Sequence, residues 1–429
     1  MQEPHTRSYY AATAHAYPAF PVLQGETQAD VVVIGGGFTG VNAAIELADR
    51  GLRVVLLEAN RIGWGATGRN GGQITGSLSG DRAMAREFRR SLGSETENYI
   101  WNLRWRGHDI IRKRVARFGI DCDLKPGHLQ AALKPAHVAE LRALVAEAEA
   151  RGMGDEVRYV EGADLRALLD VPIYIGGVHN RRNMHVHSLN LVIGEAQAAA
   201  GLGVRIFENS EVTGITRGAR PVVRTGQGRV TCDTVLLAGN AYHHLGRSRM
   251  RGVLFPAALG IIATAPIAED VARAINPQDI AVYDDRFVLD YHRLSADRRL
   301  IFGGGTNYSG RDSADIAAEL RPALERTYPR LKGIGIDFAW SGRDGIVLNR
   351  IPHLGRIGPN IFYAEGYSGH GIATTHIVAE IMAGAITGTM EEFDVFDAVH
   401  RLRLPIGNWL THHALALGMA YYTLRERLT

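Results

Sequence analysis

Asp30-Val31-Val32-Val33-Ile34-Gly35-Gly36-Gly37-Phe38-Thr39-Gly40 is the stretch on which the fold turns. Val31 to Ile34 is a short, wholly apolar run, the pattern of a parallel strand buried on both faces. Three glycines follow, and Thr39 to Arg50 then carries Val41, Ala44, Ile45, Leu47 and Ala48 at helical spacing. Gly51 stands where a helix C-terminus favours a left-handed residue, and Arg53 to Glu58 (RVVLLE) reads as a second strand. Strand, turn, helix and strand thus fit into about 30 residues, the size of a dinucleotide-binding unit. Gly35 permits the tight turn, Gly37 lets the backbone approach a pyrophosphate, and Gly40 lets the helix pack closely on the strand. The helix N-terminus offers free N–H groups and the positive end of its dipole to phosphates. Glu58, at the end of the second strand, is placed to accept hydrogen bonds from ribose hydroxyls and to repel a 2′-phosphate.

The motif alone does not choose between FAD and NAD. The next loop, Arg61-Ile62-Gly63-Trp64-Gly65-Ala66-Thr67-Gly68-Arg69-Asn70-Gly71-Gly72-Gln73, is glycine-rich and leaves no room for an ordinary core element. Such a loop can lie along an extended cofactor and aim its N–H groups at ribityl and phosphate oxygens. Near the other end, Gly366-Tyr367-Ser368-Gly369-His370-Gly371-Ile372-Ala373 lies between a strand (IFYA, 361–364) and a long helix (372–387). A second glycine turn there presents a second helix N-terminus, suited to the negative charge that a reduced flavin carries near N1 and O2. His370 is either a flavin or substrate contact or a histidine satisfied within the turn.

Bulk properties narrow the class. With 429 residues the chain exceeds one ordinary core and points to two domains, or to one large α/β body with a second layer. Its formal net charge of +3 gives no case for nucleic acid or an anionic membrane as partner. Only Lys113, Lys125, Lys134 and Lys332 are lysines; the other basic residues are arginines. Cys122 and Cys232 are too few for a disulfide framework, and no CxxC or HExxH occurs. The histidine pairs His185/His187 and His243/His244 lack a carboxylate at ligand spacing, so no metal site is expected, and His187 reads as a packing or cap-region residue. The N-terminus has no apolar signal segment and no run is long enough to span a membrane, which makes the cytoplasm the default location.

Helices are expected over 82–118, 135–152, 188–200 and 313–328, a strand at 204–207, and a hairpin over 221–238. Short strands fill 252–306, and a further strand is expected near 337–340, with Arg343 at a turn just after it.

The pairing of GGGFTG…LLEANRIGWGATGRNGGQ with AEGYSGHGIATTH resembles the D-amino-acid-oxidase-type flavoproteins, and within these the bacterial γ-glutamylputrescine oxidase group. SYYAATA, HVHSLNLVIGEA, AGNAY, DYHRLSADRRLIFGGG and GMAYYTLRERL extend the resemblance nearly end to end. It implies an α/β fold (α+β overall), a Rossmann-like FAD-binding domain interleaved with a mixed-sheet substrate or cap domain. The expected FAD-binding segments are 28–82, 185–245 and 338–400, the cap 83–184 and 246–337, and terminal arms at 1–27 and 401–429 pack on the body. Residue by residue, the ADP-binding positions are Gly35, Gly37, Gly40 and Glu58, with Phe38, Thr39 and Ala59 beside them. Arg61, Thr67, Arg69, Asn70, Gly71, Gly72 and Gln73 match the flavin-side loop, and Val212 the strand residue whose backbone meets the adenine. Ala238, Gly239 and Asn240 match the strand end under the cofactor, and Gly369, His370, Gly371 and Ile372 the segment facing the pyrimidine ring. Tyr291, His292, Arg293 and Arg343 are, with His370, the candidates for the reacting end.

The resemblance also implies oxidation of a C–N bond, with hydride to flavin N5, an imine product and hydrogen peroxide from reoxidation by molecular oxygen. No cysteine lies in the C-terminal motif and no histidine in 58–68, so non-covalent FAD is expected. No lysine falls in the expected cap strands, which leaves His292, Arg293 or Arg343 to stabilise superoxide if oxygen is the acceptor. The substrate is expected to be γ-glutamylputrescine or a related γ-glutamylated polyamine. Alternatives are a secondary or cyclic amino acid of the pipecolate or proline type, a flavin dehydrogenase using another acceptor, and a flavin-binding protein without turnover. A substrate carboxylate would call for an arginine such as Arg293 or Arg343. A polyamine tail would call for acids or aromatics, for which Asp284, Asp285, Asp290, Tyr283 and Tyr291 are candidates if they are not simply turn acids and strand aromatics. An NAD(P)H-linked reductase would need a second dinucleotide fold, and Gly303-Gly304-Gly305 has no helix directly after it.

Overall fold

The computed structural model describes residues 4–245, 252–286, 288–307 and 313–404. The expected terminal arm at 401–429, and with it GMAYYTLRERL, lies from residue 405 onward outside the described residues.

The dinucleotide-type unit is a six-stranded sheet in the order His353–Arg356, Ile361–Glu365, Thr234–Leu237, Val31–Ile34, Val54–Leu57, Arg205–Phe207. All neighbours are parallel except the first pair. Alternation along these strands divides two cores. Val31, Val33, Val54, Leu56, Leu236 and Phe362 pack under the helices Phe38–Asp49, Ser188–Gly201 and Gly371–Ile386. Val32, Ile34, Val55, Leu57, Val235 and Tyr363 pack on the other side with Val212, Val223 and Val230 of a four-stranded sheet. The expected 221–238 hairpin is shorter than read. Val222–Thr225 and Gly228–Thr231 pair, but the chain then leaves that sheet. The N–H groups of Asp233 and Thr234 both donate to Asp30 O, which steers Thr234–Leu237 beside Val31–Ile34 instead.

A nine-stranded mixed sheet forms the second body. Its order is Ile336–Val347, Leu254–Thr264, Leu300–Asn307, Tyr291–Leu294, Ala281–Asp284, Lys125–Ala132, Gly176–His185, Gln73–Ile74, with Val157–Glu161 also paired to Gly176–His185. A separate core of Ile262, Leu300, Phe302, Leu320, Leu324 and Tyr328 lies on one face. Two stretches read with the nucleotide unit, Gln73–Ile74 and the strand beyond residue 338, are edge strands of this sheet. The strand Ile336–Val347 is longer than expected, being hydrogen-bonded along its length to Leu254–Thr264, so Arg343 sits within a strand and not at a turn. Lys125 likewise opens a strand of this sheet.

The N-terminal arm is anchored through a short helix. Ser8 caps the short helix Tyr9–Thr13, and Tyr9 and Tyr10 are buried. His187 caps Ser188–Gly201, its Nδ1 accepting from Asn190 N at 3.1 Å.

Three helices meet at a buried polar triad. Asn42 Nδ2 donates to Glu195 Oε2 at 2.9 Å, and His376 Nε2 lies 2.8 Å from Glu195 Oε1. All three side chains are sealed from water. Removing Glu195 takes the side-chain acceptor from two sealed groups that keep, among the described residues, only the backbone partners Phe38 O and Ile372 O, which costs about 1–3 kcal/mol for a buried polar group left short of a partner. Glu195→Ala is therefore expected to lower the unfolding free energy by that amount, read as a shift of the urea midpoint at nearly unchanged slope, and Glu195→Gln by less.

Candidate active site

A single cleft is lined by both glycine turns. At one end lie Gly35, Gly36, Gly37, Phe38, Thr39, Glu58, Ala59 and Val212; at the other Tyr291, Arg343, Gly369, His370, Gly371 and Ile372. Thr67, Arg69, Asn70, Gly71, Gly72, Gln73, Ala238, Gly239 and Asn240 line it as well.

The dinucleotide turn is built by close approach. Gly35 has φ +117°, and a Cβ there would fall 2.8 Å from Ala238 O. Gly40 does not line the cleft; a Cβ on it would fall 1.9 Å from Gly35 O, so it sets how closely the helix meets the strand. Gly37 is the N-cap of Phe38–Asp49 and supplies no side-chain cap; a Cβ on it would lie 3.0 Å from Thr67 Oγ1 and fill the cradle. Glu58 accepts from Gly36 N at 2.7 Å and from Asn60 N at 2.9 Å, while burial pushes its carboxyl above the ordinary value. These features fit the diphosphate and ribose of a dinucleotide.

Asn70 organises the loop. Its Nδ2 donates to Thr67 O at 2.8 Å, and its Oδ1 accepts from Gly72 N at 2.8 Å and from Ser188 Oγ at 2.6 Å. Gln73 Nε2 donates to Val282 O at 2.8 Å, fastening the loop to the large sheet. Arg69 stacks over Trp64, 4.5 Å from the ring centroid.

At the far end, His370 is the N-cap of Gly371–Ile386 and gives no side-chain cap, so a second helix N-terminus opens on the cleft. Burial holds the His370 imidazole below its usual pKa. Tyr291 is wedged between two glycines: a Cβ on Gly71 would fall 2.5 Å from its ring and one on Gly303 2.2 Å. Asn240 Oδ1 accepts from Gly366 N at 2.9 Å, bridging two strand-end turns.

Besides Gly40, three expected site residues do not reach the cleft. His292 points into the second core, where Nε2 lies 3.0 Å from Tyr174 Oη and Nδ1 2.9 Å from Tyr328 Oη, and burial lowers its pKa to about 3. Arg293 is 1% exposed and lies beneath the loop; it donates to Gly71 O, Val186 O, Leu294 O and Tyr10 Oη. Arg61 turns away to Glu208 Oε2 at 2.9 Å and Tyr17 Oη at 3.2 Å, so it anchors the N-terminal arm. The acid cluster also divides. Asp284 and Asp290 pair with Arg286, Asp285 accepts from Gln130, and only Tyr283 and Tyr291 of that group line the cleft. Lys125 Nζ is held by Asp279 at 2.7 Å and Asp123 at 3.0 Å.

Sequence reading passed over Asp344, Tyr242 and Trp64, all of which line the cleft. Trp64 and Tyr242 meet edge to face, and Tyr242 Oη accepts from Arg343 N at 2.8 Å. Trp64 stood inside the loop and Tyr242 at the end of AGNAY, so their motifs were in view. Asp344 had no such signal. Among the described residues no group of histidine, cysteine or acidic side chains could hold a metal, and no helix is long and apolar enough to cross a membrane.

The packing at Gly40 gives a direct test of this cradle. Gly40→Ala must drive the helix off Gly35, and its FAD content per polypeptide, read from the flavin band of purified protein, is expected to fall at least about tenfold.

Comparison with known proteins agrees with this architecture. A family model described as FAD dependent oxidoreductase, DAO, matches residues 30–385. The chain is 40% identical over 427 residues to gamma-glutamylputrescine oxidoreductase of Escherichia coli K12, covering 99% of each. It is 34% identical over 428 residues to the probable oxidoreductase OrdL of Haemophilus influenzae, covering 99% of this chain and 98% of that one. Among solved structures, glycine oxidase from Geobacillus kaustophilus superposes with a TM-score of 0.68 at 21% identity, covering 84% of this chain and 95% of that one. L-proline dehydrogenase from P. horikoshii gives 0.69 at 22%, covering 85% and 94%. The chain belongs to the DAO family of FAD-dependent oxidoreductases.

Proposed function

We propose that this enzyme oxidises the terminal amine of γ-glutamylputrescine or a closely related γ-glutamylated polyamine to an imine, with molecular oxygen as the final acceptor and hydrogen peroxide as its product. The observation that carries the reading is the end-to-end likeness to gamma-glutamylputrescine oxidoreductase, 40% identical over 99% of both chains. Non-covalently bound FAD would supply the two-electron acceptor for the C–H bond beside nitrogen.

The residues divide the remaining work. Backbone N–H groups of the Gly35–Thr39 turn would hold the diphosphate, Glu58 the ribose, and Val212 the adenine, all of them lining the cleft. Thr67 and the Asn70–Gln73 loop line the cleft and would hold the flavin side. The N-terminus of Gly371–Ile386 opens on the cleft and would favour negative charge on a flavin held there without a charged side chain. Tyr291, Tyr283, Leu259 and Ile261 wall the substrate space and exclude water. With His292 and Arg293 out of reach, Arg343 is the member of the expected trio that lines the cleft and can steady developing superoxide. Catalysis is then mainly placement of the amine and its C–H bond, with no covalent catalyst from the protein.

Anaerobic mixing with γ-glutamylputrescine, putrescine, proline and pipecolate tests the reading. Bleaching of the flavin band by γ-glutamylputrescine, followed on admission of air by one peroxide per amine consumed, is the expected result. Bleaching by proline or pipecolate alone overturns the substrate. Bleaching that air does not reverse to peroxide overturns the acceptor. A band unchanged by all four overturns turnover on amines.

A further inference from the structure

Asp344 is the one acid on the central part of Ile336–Val347, and it lines the cleft beside Tyr291, Tyr242 and the His370 turn. Backbone N–H groups of Gly345 and Gly369 steady its carboxylate, but Oδ2 is buried and has no hydrogen-bond partner among the described residues. An acceptor left unmade in a partly dry cleft is costly, so such an oxygen is kept where a ligand completes it. A carboxylate accepts only, hence the missing partner is a donor, and a cationic donor serves best. The nearby groups fit this. Tyr242 and Tyr291 lie within electrostatic range of Asp344 and are neutral phenols, their pKa values pushed up by burial. Arg350 acts on it from a distance, and Arg343 precedes it on the strand.

Resting on the amine-oxidising reading above, we propose that Asp344 receives the ammonium group of the substrate and takes up its proton before oxidation. The N–H bond breaks, an O–H bond forms at Oδ2, and the electron pair stays on nitrogen, giving the neutral amine that C–H oxidation requires. Burial pushes the Asp344 carboxyl up to about 7, against the pull of the two backbone N–H groups, which makes it a better proton acceptor than an exposed aspartate. The same carboxylate repels a substrate carboxylate at the reacting carbon. It therefore selects amines whose acid group lies far from the oxidised nitrogen, as in a γ-glutamylated diamine, over α-amino acids.

The test uses holoenzyme and two readouts. The first is equilibrium perturbation of the flavin spectrum by n-butylammonium and by butyrate. The second is anaerobic stopped-flow reduction by γ-glutamylputrescine from pH 5.5 to 9, about the reach of one titrating carboxyl on either side of 7. Wild type is expected to bind n-butylammonium in preference to butyrate and to lose that affinity below about pH 7, because the ionised carboxylate is the binding form. Asp344→Asn is expected to keep its FAD, weaken both amines at least about tenfold and flatten the acid limb of the profile, with Asp344→Glu restoring part of each. Amine affinities within twofold of wild type in Asp344→Asn overturn the assignment. So does loss of FAD with unchanged amine binding in the protein that retains it, which would make Asp344 a flavin contact. Preference for butyrate in wild type overturns it independently of any variant. Asp344-dependent n-butylammonium binding without reduction by any amine supports the ammonium site and overturns the oxidase reading alone.

Discussion

Everything at the site depends on the parallel pairing of Thr234–Leu237 between Val31–Ile34 and Ile361–Glu365. Parallel strands in register end on the same edge of the sheet. Leu237 pairs with Ile34 on one side and Tyr363 on the other, so the turns after all three strands emerge together. Each of those turns is backbone-rich: Gly35–Gly37, Ala238–Asn240 and Gly366–Gly371. Cross-bracing then fixes their spacing, with Gly35 packed on Ala238 O and Asn240 bonded to Gly366 N. Ligands in open α/β sheets bind beyond the carboxyl ends of the strands, and here two helix N-termini meet at that edge from segments more than three hundred residues apart.

How much of this the sequence discloses follows from the range of each interaction. The first βαβ unit is local: an apolar run, glycines with fixed spacing, a helical stripe and an acid, all within about 30 residues. The second turn is equally local as a strand–glycine–helix pattern. That both turns share one cleft is a long-range fact, which the family resemblance carried and spacing could not. The failures are also of range. Tyr-His-Arg at 291–293 reads as one functional cluster, yet alternation on a strand sends Tyr291 to the cleft and His292 to the opposite core. Arg343 reads as a turn residue because it follows Trp340-Ser341-Gly342, but a twelve-residue strand paired along its length overrides that local signal. Asp344 stayed hidden because an isolated acid in a strand has no motif.

Arg293 shows why residue type alone misled. Most arginines are solvated, and a rare buried one is expected to meet a carboxylate. Its described partners are three carbonyls and a tyrosine hydroxyl. The guanidinium thus works as a planar clamp, holding Gly71 O and Val186 O while Tyr10 of the N-terminal arm closes over it. Gly71 in turn admits the Tyr291 ring. The arm, the loop and the cleft wall are therefore one connected unit, and the residue once suspected of touching substrate acts through the backbone that does line the cleft.

The charge pattern along the cleft can be derived from the same parts. The diphosphate end is positive through peptide dipoles, and Glu58 beside it is committed to two backbone N–H groups. The reacting end also receives a helix N-terminus, but burial keeps His370 neutral near pH 7, so that end holds only a partial positive charge from the peptide groups. A protonated imidazole there would oppose entry of any cation. With His370 neutral, the electrostatic character of the substrate space is set by Asp344 on one strand and by Arg343 beside it, whose backbone N–H is fixed by Tyr242. Both side chains line the cleft from successive positions of one strand, so an acid and a base one residue apart can meet different parts of a ligand. An enzyme that must hold an anionic cofactor and admit a cationic amine needs that separation, and a strand edge supplies it where a loop would let the two charges neutralise each other.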